Sequence, residues 1–235
     1  MRNGSSMEPG WARELLGRHT AALLATARGL EDLTADSLCD GWTRAHVLTH
    51  IARNADAIGR LASWAVTGER AEMYPGGTEA RNAEIAAGAE RTPEEIVADL
   101  EQTSAEVATS LERLDGPIAS RLVEMRGGKE VASQELPFLR LREVVIHHVD
   151  LNAGFGFDEV EPALVLALLV DAVARLQGHP KAPNVQLRTD QGDTWSVGEG
   201  GDIVSGTRPG MLLWLARRLP AGVTGERVPH LPRGA

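Results

Sequence analysis

The sequence predicts an α+β protein, with an N-terminal four-helix bundle over residues 1–157 and a smaller C-terminal α+β domain over 158–235 that contains a short antiparallel sheet. Three observations predict it. Apolar residues recur at helical spacing through most of the first part. Glycine- and proline-rich turns punctuate those stretches. Short strand-like runs bounded by Gly and Asp cluster after residue 180. Helices first and strands afterwards argue against an alternating, doubly wound sheet.

Taken in order, Leu15, Leu16, Ala22, Leu23 and Ala27 make an amphipathic first helix over 11–30 that ends near Gly29. Thr43 can cap a second helix, whose apolar face includes Val47, Leu48, Ile51, Ala55, Ile58 and Leu61 and which stops at Gly68. Met73-Tyr74-Pro75-Gly76-Gly77 reads as a turn, and residues 78–89 as a short helix. Thr92-Pro93-Glu94-Glu95 opens another helix, with Pro suited to its first position. After Gly116-Pro117 an irregular stretch leads to an extended segment over 131–136, and residues 138–152 return to helix. The second domain reads as a helix over 162–176, strands over 185–189, 194–197 and 202–205, and a last helix over 208–219.

Composition narrows the function. With 24 Lys plus Arg against 33 Asp plus Glu, the formal charge of -9 repels phosphate backbones, so nucleic acid is not an expected partner. Cys39 is the sole cysteine, which excludes an internal disulfide, a CxxC pair and a cysteine-rich zinc module. Any metal must therefore be held mainly by His and carboxylate. The longest apolar run, residues 163–170, falls far short of the ~20 residues a membrane span needs, and the opening residues carry no apolar leader. A cytoplasmic protein with no membrane partner is expected.

Glu143 and His147 stand four apart on the helix over 138–152, so both project from one face. His148 points about a quarter turn away. His46 and His50 are also four apart, on the helix after Thr43, and either could meet the Glu143 and His147 pair across a bundle. Two imidazoles and a carboxylate are a common catalytic zinc set that leaves a fourth position open. Spacing alone does not establish a metal site, because such pairs are also frequent as exposed or locally hydrogen-bonded groups. Asp150, three residues beyond His147, is placed to hold a ligand imidazole from behind. Cys39 has the anionic Asp40 beside it and no adjacent cation, so a small apolar role is expected of it. No Walker lysine motif, Gly-x-Ser-x-Gly or His-Glu-x-x-His occurs, and Gly154-Phe155-Gly156 lacks the third glycine of a dinucleotide loop.

Three separated blocks carry a family resemblance: Gly41-Trp42-Thr43-Arg44-Ala45-His46 with His50 and Asn54; Met73-Tyr74-Pro75 with residues 79–85; and residues 142–147 through Asp150-Leu151. In this order they resemble the mycothiol-dependent maleylpyruvate isomerases over nearly the whole chain. The resemblance implies a DinB-like four-helix metal-binding domain and a C-terminal α+β domain. It implies zinc on His50, Glu143 and His147, with His46 a neighbour, and mycothiol as the thiol cofactor. The family's functional arginine matches Arg218, although Arg217 stands where the family usually has Gly and remains a rival.

The activity so implied is isomerisation of 3-maleylpyruvate to 3-fumarylpyruvate in gentisate degradation, with a small dicarboxylate and a low-molecular-weight thiol as partners and a monomer as the working unit. A cis double bond conjugated to carbonyls rotates once thiolate addition has made it single, and Cys39 is poorly placed to supply that thiolate. Two other readings are a mycothiol S-transferase acting on another electrophile and a non-catalytic metal-dependent binding module. A stable thiol adduct would identify the first, and thiol chemistry indifferent to metal the second.

Overall fold

A computed structural model describes residues 9–232, so expectations about the first eight residues and the closing Arg233-Gly234-Ala235 lie outside the described residues. The chain divides into two compact units, one through Ala153 and one from Gly154 onward.

The first unit holds helices α1 (Pro9–Gly29), α2 (Arg44–Thr67), α3 (Gly77–Ala89), α4 (Pro93–Glu112) and α5 (Leu136–Asp150), with a small hairpin of β1 (Leu122–Glu124) and β2 (Glu130–Ala132) before α5. Local chemistry explains the boundaries. The Gly68 backbone sits in the left-handed region at φ 82°, donates to the Trp64 carbonyl, and closes α2 where a side chain would be strained. At α4 the Thr92 hydroxyl accepts from the Glu95 N–H at 3.3 Å while the Glu95 carboxylate accepts from the Thr92 N–H at 2.9 Å. This reciprocal cap satisfies donors that the first turn leaves free.

Helix α2 is the centre of the bundle and packs against α3, α4 and α5, while α1 packs against α4 and α5. Leu48, Ile51, Ile58 and Leu61 of α2 are inaccessible or nearly so, as are Leu23 of α1, Leu100 of α4 and Leu141, Val144 and Val145 of α5. Each such side chain contributes roughly 1.5–3 kcal/mol of burial. Together they fix α2 beside α5, which is what the site below requires.

Two expectations for this unit are corrected. The extended segment expected over 131–136 is strand only through Ala132; a 3-10 turn, Ser133–Glu135, follows, and Leu136 is already helical. Glu135 accepts from the Ala132 N–H at 3.0 Å, and Pro137 in the first turn favours an early helix start. The hairpin partner β1 was not expected, since three residues give too little alternation to read.

The second unit contains α6 (Pro162–Gln177), β3 (Val185–Thr189), β4 (Thr194–Val197), β5 (Asp202–Gly206), α7 (Arg208–Arg217) and β6 (Val223–Thr224). The sheet order is β4-β3-β5-β6: β3/β4 is antiparallel as expected, β6 is a strand that was not expected and pairs antiparallel with β5, and the β3/β5 pair is parallel, which corrects the expectation of a purely antiparallel sheet. The parallel pair arises because four residues, 198–201, carry the chain across the start of β3: Val185 faces Val197 on one side and Asp202 on the other. A Cβ at Gly201 would strike the Asn184 carbonyl, so the crossing needs glycine there. Helices α6 and α7 pack together, burying Leu164, Leu168, Leu169, Met211, Leu212 and Trp214.

The last helix ends at Arg217, two residues short of the expected 219. Leu219 precedes Pro220, whose ring disfavours helical backbone at the residue before it, and Arg218 turns left-handed at φ 62° to end the helix.

Candidate metal centre

His50 lies in the second turn of α2, and Glu143 and His147 are one turn apart on the facing side of α5. The Nε2 atoms of His50 and His147 approach the same oxygen, Glu143 Oε2, at 3.3 and 3.4 Å. Their rings meet edge to face, with centroids 4.5 Å apart. One donor atom from each of the three residues lies within 4.8 Å of the other two. Arg140, fully buried one turn before Glu143, donates through Nη1 to the Ile51 carbonyl and to Asn54 Oδ1, both at 2.8 Å. That bridge ties α5 to α2 beside His50.

The surrounding groups hold each donor in place. Asp150, fully buried, sits 2.7 Å from His147 Nδ1 and so accepts its N–H, leaving Nε2 to face Glu143. The Cys39 thiol donates to the same Asp150 oxygen at 3.3 Å, and the Leu38 N–H donates to the Asp150 carbonyl. Arg142 donates to the other Glu143 oxygen at 3.2 Å. Arg81, from α3, places Nη2 2.9 Å from His50 Nδ1.

Electrostatics favour a charged, tightly coupled cluster. Burial opposes charge on His147, but the hydrogen bonds with Asp150, Cys39 and Glu143 outweigh it and hold the imidazole well above its usual range. Burial likewise opposes charge on Glu143, but the bonds from His147 and His50 hold the carboxyl well below its usual range. His50 is pushed down to about 4, chiefly by burial and then by the charge on His147. Both imidazoles thus turn Nε2 towards one oxygen of a carboxylate that is held anionic.

A second trio, Cys39, His147 and Asp150, also lies within ligating distance of itself. Its His147 nitrogen is Nδ1, already committed to Asp150 at 2.7 Å, so the trio acts as a support for His147. Cys39 therefore departs from the apolar role expected of it: its thiol donates to a buried carboxylate. Neighbouring residues in the sequence could not reveal a partner more than a hundred positions away.

Spacing left His46 and His50 equivalent, and the structure separates them. The His46 Nδ1 accepts from the Thr43 N–H at 3.3 Å and lies 2.8 Å from the Thr43 hydroxyl, so this ring caps α2. The Trp42 ring stacks near His46 and tilts over His50, with the latter centroids 5.4 Å apart. His148 turns towards α1, its Nε2 2.8 Å from the Thr26 hydroxyl. In the second unit, Arg217 donates to the neighbouring Ala216 carbonyl, and Arg218 caps α7 with its N–H on the Trp214 carbonyl at 2.7 Å. Arg217, where the family usually has Gly, is helical and carries no backbone strain; the positive φ falls on Arg218.

The donor set fits a divalent zinc-like ion: two imidazole nitrogens freed to face inwards and one carboxylate held anionic, converging on one point. No helix among the described residues is long and apolar enough to cross a membrane.

Comparison with known proteins bears on the same elements. The mycothiol maleylpyruvate isomerase N-terminal domain family matches residues 9–152, which span α1 to α5 and all three donors. Among solved structures, the chain is similar to the mycothiol-dependent maleylpyruvate isomerase, with a TM-score of 0.91, 27% identity and 99% of each chain covered. The same figures hold for a histidine-to-alanine mutant of that enzyme. No curated protein matches. With more than half of its length matched by the family and its whole fold shared with a solved member, this chain belongs to the mycothiol maleylpyruvate isomerase family.

Proposed function

We infer that this protein is a mycothiol-dependent isomerase that converts 3-maleylpyruvate to 3-fumarylpyruvate, with zinc held by His50, Glu143 and His147. The observation that carries this reading is the convergence of three donors on one point within a fold shared, over 99% of its length, with the mycothiol-dependent maleylpyruvate isomerase.

Bound zinc would supply the acidity that keeps an external thiol deprotonated near neutral pH. The chain's own residues do the rest. Asp150 fixes the His147 tautomer and orientation, and Arg142 steadies the Glu143 oxygen that faces away from the imidazoles. The thiolate adds to one alkene carbon, and the π pair moves onto the conjugated carbonyl as an enolate. Rotation about the resulting single bond follows; the enolate then collapses, restores a trans double bond and expels the thiolate. No oxidant or reductant is consumed, and the thiol is regenerated.

Arg218 is assigned to a carboxylate of the doubly charged substrate, which an acidic protein would otherwise repel. The working unit in this reading is a monomer, supported by one chain carrying all three donors, and its need for a reduced low-molecular-weight thiol supports a cytoplasmic setting.

The test is an ultraviolet progress curve for maleylpyruvate with zinc-loaded protein and substoichiometric mycothiol, with the product identified by chromatography. Many turnovers per thiol to the trans product are expected. A stable thiol adduct in place of turnover would overturn the isomerase reading in favour of a thiol transferase.

A further inference from the structure

Outside the metal centre, the first unit carries a cleft of about 500 Å³, lined by the segment 70–78, by the turn of the β1–β2 hairpin and by Trp64 near the end of α2. That volume is in the range of small-molecule sites. The segment and the hairpin are tied to each other. Arg70 donates through Nη2 to Glu124 Oε2 at 2.8 Å and lies over the Trp64 ring, 5.9 Å from its centroid. The Met73 sulfur accepts from the Arg126 N–H at 3.4 Å, and the Met73 carbonyl accepts from Arg60 at 3.1 and 3.2 Å.

The lining selects the ligand. Two guanidiniums, Arg70 and Arg126, stand with two carboxylates, Glu72 and Glu124, so the cleft has no net charge and concentrates neither anions nor cations. A purely apolar ligand would strip water from these four groups and return no hydrogen bonds. A hydroxyl serves both kinds, since it donates to a carboxylate and accepts from a guanidinium. Trp64 and Tyr74 line the same space, and an aromatic face is negative, which suits the carbon-bound hydrogens of a saturated ring. The cleft also adjoins the donor set. Tyr74 carries the Arg81 guanidinium 5.5 Å from its ring centroid, and Arg81 Nη2 lies 2.9 Å from His50 Nδ1.

We propose that this cleft binds a neutral polyhydroxylated ring, the chemistry of a sugar or a cyclitol. The ring has two sources: the non-reacting body of the thiol, or a free sugar. Only the first rests on the reading of His50, Glu143 and His147 as a thiol-activating centre.

The test uses the full zinc-loaded chain and saturation-transfer NMR with myo-inositol and methyl glucopyranoside, which carry neither thiol nor charge. Saturation should reach the carbon-bound ring hydrogens. It should disappear in Thr78→Trp, where an indole fills the cleft from an exposed position in the first turn of α3. Binding to Glu72→Gln, which keeps the shape and loses the charged acceptor, should weaken by about 3- to 10-fold. No transfer to either probe, or transfer that Thr78→Trp leaves intact, overturns the proposal. Calorimetry with mycothiol and with N-acetylcysteine, a thiol without the ring, identifies the source. Mycothiol weakened at least about 10-fold in Thr78→Trp, with N-acetylcysteine unchanged, assigns the ring to the thiol; both unchanged, with transfer lost, assigns the cleft to a free sugar. Transfer without turnover of maleylpyruvate keeps the cleft and refutes the isomerase reading; turnover without transfer does the reverse.

Discussion

Replacing Asp150 by Asn keeps the shape of the side chain but removes the charge that holds His147. Asp150 is fully buried, 2.7 Å from His147 Nδ1 and 3.3 Å from the Cys39 thiol. An amide can still accept the Nδ1–H through its oxygen, but it is a weaker acceptor, and the basicity it lends to Nε2 falls. Loss of a carboxylate behind a ligating imidazole costs about 10- to 100-fold in metal affinity, or about 1.4–2.7 kcal/mol. An opposing effect comes from proton competition. Asp150 heads the interactions that hold His147 protonated against the pull of burial, so Asp150→Asn makes that proton easier to displace. The two effects separate with pH: the affinity loss should be larger near pH 9 than near pH 6, because proton competition for His147 weakens as pH rises. Zinc titration against a chromophoric chelator at both pH values measures it. An affinity in Asp150→Asn equal to wild type at pH 9 would refute the view that Asp150 supports a metal ligand.

Three further outcomes are expected. Zinc loading at pH 7 should release about one proton, because His147, held well above its usual range, has one to give while His50, pushed down to about 4, is already neutral; calorimetry in buffers of different ionisation enthalpy reads this, and a value near zero or two contradicts the arrangement. Arg218→Gly should abolish isomerisation yet retain zinc. It should also raise stability slightly, since the left-handed φ of 62° costs a side-chain-bearing residue about 1–2 kcal/mol and the added freedom of unfolded Gly returns only part of it; a lower melting temperature would contradict the backbone argument. Asp193 accepts from Arg208 at 2.6 and 2.9 Å, and that bond, followed by Thr189, holds its pKa below the ordinary carboxylate range. A depressed folded-state pKa gives stability that is present at neutral pH and lost as pH falls through it. Asp193→Asn should therefore be less stable than wild type at pH 7, and the difference should vanish under acid; a gap that persists in acid would argue against the ion pair.

Much of this architecture is legible locally. Thr92-Pro93-Glu94-Glu95 and Gly68 mark helix ends because capping chemistry is complete within four or five residues. The parallel pairing of β3 with β5 is not legible in that way, since alternation identifies a strand but not its partner; the crossing past Asn184 shows only in three dimensions. At the site, the pitch of a helix puts Glu143 and His147 on one face, yet the same pitch makes His46 and His50 equal. The Thr43-x-x-His46 spacing was a usable signal, because a residue three past an N-cap can bond back to it. The roles of Cys39 and Arg81 depend on partners 111 and 31 positions away, and no local pattern encodes them.

Zinc-edge X-ray absorption on the zinc-loaded protein, before and after addition of mycothiol, tests the metal centre most directly. The expected first spectrum contains nitrogen and oxygen neighbours only, from His50, Glu143 and His147, and thiol addition should introduce one sulfur at about 2.3 Å. A sulfur already present without added thiol would place Cys39 on the metal, and a spectrum that mycothiol leaves unchanged would remove the thiol from the metal altogether; either result contradicts the site described here.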